Sequence, residues 1–203
     1  MNKVIRTLTI GLAVVAALFC AVSPAHATTA TYTESATASG TLDGTSFTDA
    51  LVTITLTGDT STVTSTALVG PPWPSGLIED AGTATVTVSG VGTDTFTDSM
   101  YVFDTASAEA VGITDGTLKY DALDTYDPAF ATYGLTTSIG PITDSDAINP
   151  GHPFNTEGGT LVLDSVPSFE STFTATVATP EPGSLLLLGM GFAGLLGIRK
   201  NQR

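Results

Sequence analysis

For residues 28–179 the sequence predicts an all-β body, an antiparallel two-sheet sandwich of jelly-roll or immunoglobulin-like type. Three observations lead there. No stretch of useful length repeats its apolar residues at helical spacing. Roughly a quarter of the segment is threonine, whose branched Cβ favours strands. Apolar and hydroxylated residues alternate with period two between short turn signals, as they do when a sheet buries one face.

The elements follow in chain order. Lys3 and Arg6 charge the start, residues 8–22 form an apolar run, and Pro24-Ala25-His26-Ala27 supplies an A-x-A site. These are the three parts of a secretory signal peptide, so a signal helix is expected over residues 1–27, with Ala25 and Ala27 specifying cleavage. Cleavage also removes Cys20, the one cysteine, so the body forms no disulfide and must hold together by its core.

Within the body, Asp43-Gly44 sits between two β-rich runs and predicts a two-residue hairpin, because both positions tolerate positive φ. Ala50, Val52, Ile54 and Leu56 alternate with Leu51 and Thr53 to Thr57, and Ala84, Val86 and Val88 alternate with Thr83, Thr85 and Thr87. Pro71-Pro72-Trp73-Pro74-Ser75-Gly76 is a loop, since prolines remove ladder donors. Gly90-Val91-Gly92 turns the chain, and Asp115-Gly116 predicts a second tight hairpin. Residues 121–133 are expected to hold a short helical turn across one end of the sandwich, and residues 141–153 to be polar and turn-rich. Phe169, Ser171, Phe173, Ala175 and Val177 alternate with Glu170 and Thr172 to Thr176 as a last strand. Together these runs make about nine to eleven strands.

The end of the chain reads as a helix breaker, an apolar helix and a cationic stop. Pro180-Glu181-Pro182 precedes an apolar run over residues 183–198, and Arg199-Lys200-Asn201-Gln202-Arg203 closes it. At ~1.5 Å per residue that run is about 24 Å long, spannable if the ~30 Å hydrocarbon layer thins or the flanks snorkel. The terminal cations keep that end cytoplasmic and leave the body outside. The domain boundaries expected are therefore 1–27, 28–179 and 180–203.

Charge narrows the function. Nineteen acids in residues 28–179 face Lys119 alone, a formal −18. Such a surface repels phosphate backbones, which excludes nucleic acid as a partner. Catalysis is not expected either: the body has one histidine, His152, no cysteine and no G-x-S-x-G elbow. No cofactor is assigned. Calcium is the use that hard carboxylate oxygens allow, with Asp121, Asp124 and Asp127, or Asp144 and Asp146, as the ligand sets. Trp73 with Tyr101, Tyr120, Tyr126 and Tyr133 are the candidates for a sugar-stacking platform. Threonine arrays at Thr53 to Thr57, Thr83 to Thr87 and Thr93 to Thr97 resemble ice-binding faces, but twisted sandwich sheets do not supply the flat lattice such faces need.

In all three of its parts the tail resembles the PEP-CTERM sorting signal of Gram-negative bacteria. It departs from the usual pattern at Thr179 and where Asn201-Gln202 interrupt the basic cluster. The body also looks like the passenger regions of PEP-CTERM proteins over residues 40–59, 127–142 and 154–177. The resemblance implies that Pro180, Glu181, Pro182, Arg199 and Lys200 form the sorting motif and that secretion machinery and an exosortase are partners. It implies export across the inner membrane, transient anchoring there by a C-terminal transmembrane helix, and then a cell-surface or extracellular place. The function expected is that of a structural or adhesive protein associated with exopolysaccharide or biofilm. The alternative is a carbohydrate-binding module, with calcium as an added ligand.

Overall fold

The computed structural model describes residues 28–66, 77–116 and 120–178. Strands β1 (Thr29–Leu42) and β2 (Thr45–Asp59) form a long hairpin. Their turn is Asp43-Gly44, with φ of 52° and 78°, the left-handed pair that a type I′ turn requires. Then come β3 (Thr64–Thr66), β4 (Leu77–Val88), β5 (Gly92–Thr95), β6 (Met100–Thr105), β7 (Ala110–Asp115) and β8 (Asp121–Tyr126). A 3₁₀ turn (Pro128–Thr132) separates these from β9 (Ile139–Ala147), β10 (Pro153–Asn155), β11 (Thr160–Ser165) and β12 (Glu170–Val177).

The strands do not form two packed sheets. Antiparallel pairing runs β1-β12-β9-β8-β7-β6-β4-β2, and β2 pairs back onto β1. This is a closed eight-stranded antiparallel barrel, which overturns the jelly-roll or immunoglobulin-like sandwich. The physical reason is that β1 uses both of its edges. Thr29 to Leu42 pair with β2 on one side, while Ala30 to Ala36 pair with β12 on the other. Strands of 14 and 15 residues are long enough to coil round and close the ring. Beyond Ala36 the far end of β1 leaves β12 and from Ser39 pairs with β11, with a bulge at Ser39/Gly40, and β11 carries β10 outside the ring. β3 and β5 add to β4.

Among the described residues the only helical element is the 3₁₀ turn, and no helix is long and apolar enough to cross a membrane. The signal helix and the C-terminal transmembrane helix that were to flank the body fall on residues 1–27 and 180–203, outside the described residues.

Period-two alternation sets the lining of the barrel. Val52, Ile54 and Leu56 of β2 and Ala84, Val86 and Val88 of β4 are buried, as expected, with Ile113, Leu123, Leu161 and Phe173. The 3₁₀ turn drives Phe130 into this core, edge-on to Phe173 at 5.6 Å between ring centres, and Tyr133 packs on Phe173 at 5.9 Å. Three local expectations change. Five residues separate Asp115 from Asp121, so the second hairpin is not a two-residue turn. Residues 121–126 are a strand, and only the residues after them turn helically. Most of the polar run 141–153 is strand too, because β9 pairs with β12 through Ile142, Thr143, Asp144 and Ser145.

Candidate functional site

Two features of the barrel stand out chemically, one outside and one inside. Outside, the alternation of β1, β2, β4, β5, β9 and β12 aligns hydroxyls in rows across the strands. One row is Thr174-Thr33-Thr55-Thr85-Thr95, and the next is Thr143-Thr172-Ser35-Thr53-Thr87-Thr93. A third runs Thr176-Thr31-Thr57-Thr83. Rows two residues apart lie ~6.8 Å from each other, and neighbours within a row ~4.8 Å. Thr87 and Thr93 share a hydrogen bond of 2.8 Å, and Thr143 and Thr172 one of 2.7 Å. No charged residue stands in these rows, although the body is strongly acidic.

Inside, Glu34 of β1 and Asp146 of β9 occupy inward positions with Thr125, and Asp124 is buried on the other face of β8. Glu34 falls in the buried series Ala30, Tyr32, Glu34, Ala36, Ala38 and is fully buried. Its Oε1 accepts the Thr125 hydroxyl, while its Oε2 has no hydrogen-bond partner. Burial, with Asp124 and Asp146 nearby, holds the Glu34 carboxyl well above its usual range against the opposing Thr125 bond. Asp124 accepts the Ala147 N–H at 2.6 Å, yet burial, followed by the charge of Asp121, pushes it up to about 8. Burial raises Asp146 to about 6 and Asp121 to about 6.

A second group closes the end plugged by the 3₁₀ turn. The buried Tyr32 hydroxyl donates to the Leu135 carbonyl at 2.7 Å and to Asp80 Oδ2 at 3.3 Å. Thr62 donates to Asp80 Oδ1 at 2.6 Å. Asp104 Oδ2 accepts the Gly134 N–H at 2.7 Å, and burial pushes this carboxyl up to about 6. Asp104 Oδ1 and the Tyr133 hydroxyl are both buried without a hydrogen-bond partner.

The structure distributes the sequence-predicted candidates rather than gathering them. Asp127 caps the 3₁₀ turn, accepting the Ala129 N–H at 2.7 Å, while Asp121 and Asp124 stay within β8. Asp144 binds the Ser145 N–H at 2.6 Å. Among the described residues no group of three or more His, Cys, Asp or Glu side chains is arranged to hold a metal ion. The tyrosines do not form one platform: Tyr133 lies in the core, and Tyr120, 40% exposed, stacks on His152 with ring centres 3.8 Å apart. His152 Nε2 stands 3.7 Å from Asp115 Oδ2. Trp73, the cleavage residues Ala25 and Ala27, and the motif residues Pro180, Glu181, Pro182, Arg199 and Lys200 lie outside the described residues. Sequence reasoning missed the interior acids, although Glu34 stands in register with the alanines and tyrosine of an inward series.

Residues 178–201 match the family model of the PEP-CTERM protein-sorting motif. Comparison with curated proteins and with solved structures returned no match. The tail therefore carries a PEP-CTERM sorting motif, which implies export and processing by an exosortase at the membrane. The match covers the tail alone, so the activity of the barrel is unassigned by it.

Proposed function

We propose that the barrel is a cell-surface or extracellular-matrix component with a structural or adhesive role, held against neutral exopolysaccharide through its outer hydroxyl face. The observation that supports this reading is the set of uncharged threonine rows on a body of formal charge −18. Hydroxyls in register can exchange hydrogen bonds with a polyol without the desolvation cost of a buried charge. No catalytic role is assigned. A carbohydrate-binding module is the second reading, favoured by the exposed Tyr120 stacked on His152 beside Asp115.

Retention of the full chain on the extracellular polysaccharide of its host, measured by co-sedimentation, tests both. Retention weakened at least tenfold by Thr33→Val, Thr55→Val and Thr85→Val together supports the matrix reading. Retention indifferent to those three but lost with Tyr120→Ala moves the function to the module. Absence of retention at high polysaccharide concentration removes the carbohydrate from both.

A further inference from the structure

A cleft of about 360 Å³ opens between the end of β9 and the turn joining β11 to β12. Ile148, Pro150, Val166 and Pro167 give it apolar walls, and Asp146 and Asp164 also line it. Phe169 stands at its rim with 73% of its surface exposed and a left-handed φ of 52°. Neither property is cheap, since a non-glycine residue in that region is strained and an exposed phenyl ring gains nothing from burial. The conformation is fixed from both sides: the Phe169 N–H donates to the Val166 carbonyl at 3.1 Å, and its carbonyl accepts the Asp146 N–H at 3.0 Å.

Among the described residues no cationic side chain is paired with the carboxylates of this cleft. The described residues contain no lysine and no arginine. A backbone hydrogen bond from Asp124 holds the Asp146 carboxyl, while its Oδ1 is buried with no hydrogen-bond partner and is the atom left to accept from an incoming cation. Apolar walls, acids within them and an aromatic ring at the lip together suit an alkyl stem ending in a cation. Phe169 lines the cleft yet keeps 73% of its surface exposed, so a free amine would leave most of the ring uncovered, whereas the main chain flanking a side chain would cover it.

We propose that this cleft binds a lysine side chain of a partner polypeptide, with Ile148, Val166 and Pro167 against its methylenes and Asp146 and Asp164 taking its ammonium group. The probe is the peptide acetyl-Gly-Ala-Lys-Ala-Gly-amide, titrated into the ¹⁵N-labelled full chain in zwitterionic detergent and followed by amide shifts. Saturable shifts at Asp146, Val166 and Phe169 are expected at millimolar peptide, at least tenfold weaker for the same peptide with norleucine in place of lysine. Phe169→Ala and Asp164→Asn, both at exposed positions, should each weaken binding severalfold while leaving the remaining spectrum folded. Equal binding of the norleucine peptide, indifference to both substitutions, or no saturable shift overturns the proposal. Cadaverine binding as tightly as the peptide overturns the polypeptide partner.

Discussion

Thr125 on β8 donates its hydroxyl hydrogen to Glu34 on β1 across the barrel interior, joining residues 91 positions apart. The same oxygen lies 2.7 Å from Ser171 Oγ on β12, and Ser171 donates to the Asp124 carbonyl at 2.7 Å. This chain of bonds ties β8 to β1 and β12 beside the place where the backbone ladder is shortest, since β8 and β9 pair only through Asp124↔Ala147 and Thr125↔Asp146. Side chains therefore hold β8 to the opposite wall where its main-chain seam with β9 is thin.

Replacing Thr125 by valine keeps the volume and removes the donor to Glu34. A buried acceptor left unpaired costs about 1–3 kcal/mol, and the urea midpoint should fall accordingly, whereas Thr125→Ser should retain most of the stability. An unchanged midpoint for the valine variant would show that the hydroxyl chain does not hold the seam.

Stability should fall as pH rises. Asp104, Asp121 and Asp146 at about 6 and Asp124 at about 8, all raised mainly by burial, hold their protons more tightly folded than unfolded. Their stabilising contribution is complete below the ordinary carboxylate range near ~3.9 and is lost as pH climbs through their folded values. The exposed Asp94, lowered first by the Gly158 N–H, works the other way, its contribution fading as the pH drops below the ordinary carboxylate range. After screening, the net change between pH 4.5 and pH 9 is on the order of 3 kcal/mol, about 6–12 °C in melting temperature for a body of this size. A calorimetric melting temperature that is flat or higher at pH 9 would contradict this.

Tyr32→Phe removes one hydroxyl that serves two acceptors, the Leu135 carbonyl and Asp80. Both are in the plugged end, and the ring itself keeps its packing. A loss of about 1–3 kcal/mol is expected in the denaturation midpoint, with faster amide exchange at residues 133–135. Exchange there that matches the unsubstituted protein would remove Tyr32 as the tie between the plug and the barrel wall.

Strand faces were legible in the sequence, and the closure was not. Val52-Ile54-Leu56 and Ala84-Val86-Val88 announce one buried side, but a sandwich and a barrel each bury one side of every strand, so the alternation is the same for both. What closes the ring is that β1 pairs on both edges, a matter of long-range register that no local pattern carries. β9 was hidden because its polar residues Thr143, Asp144 and Ser145 are exposed and only Ile139, Ile142 and Asp146 are partly covered. The buried acids looked like turn acids for a related reason: Asp124 follows Ala122 and Leu123 in a strand buried on both faces, where period two gives no signal. The sorting tail was legible because its three parts are local and contiguous.

The point where β1 passes from β12 to β11 gives the sharpest test of the fold. Gly40 sits at that bulge, buried, where a Cβ would run into the Val162 carbonyl of β11. Gly44, in the β1–β2 turn, has open space around it and only its φ of 78° to oppose a side chain. Gly44→Ala should therefore cost about 1 kcal/mol, the penalty of a left-handed alanine. Gly40→Ala forces backbone apart and should cost more, roughly 2–4 kcal/mol. The loss should also be local: amide exchange should quicken at Leu161 and Leu163 of β11 while Phe173 and Ala175, paired with Glu34 and Tyr32, stay protected. Equal costs for the two alanines, or uniform loss of protection round the barrel, would mean that β11 is not a separate flap on β1.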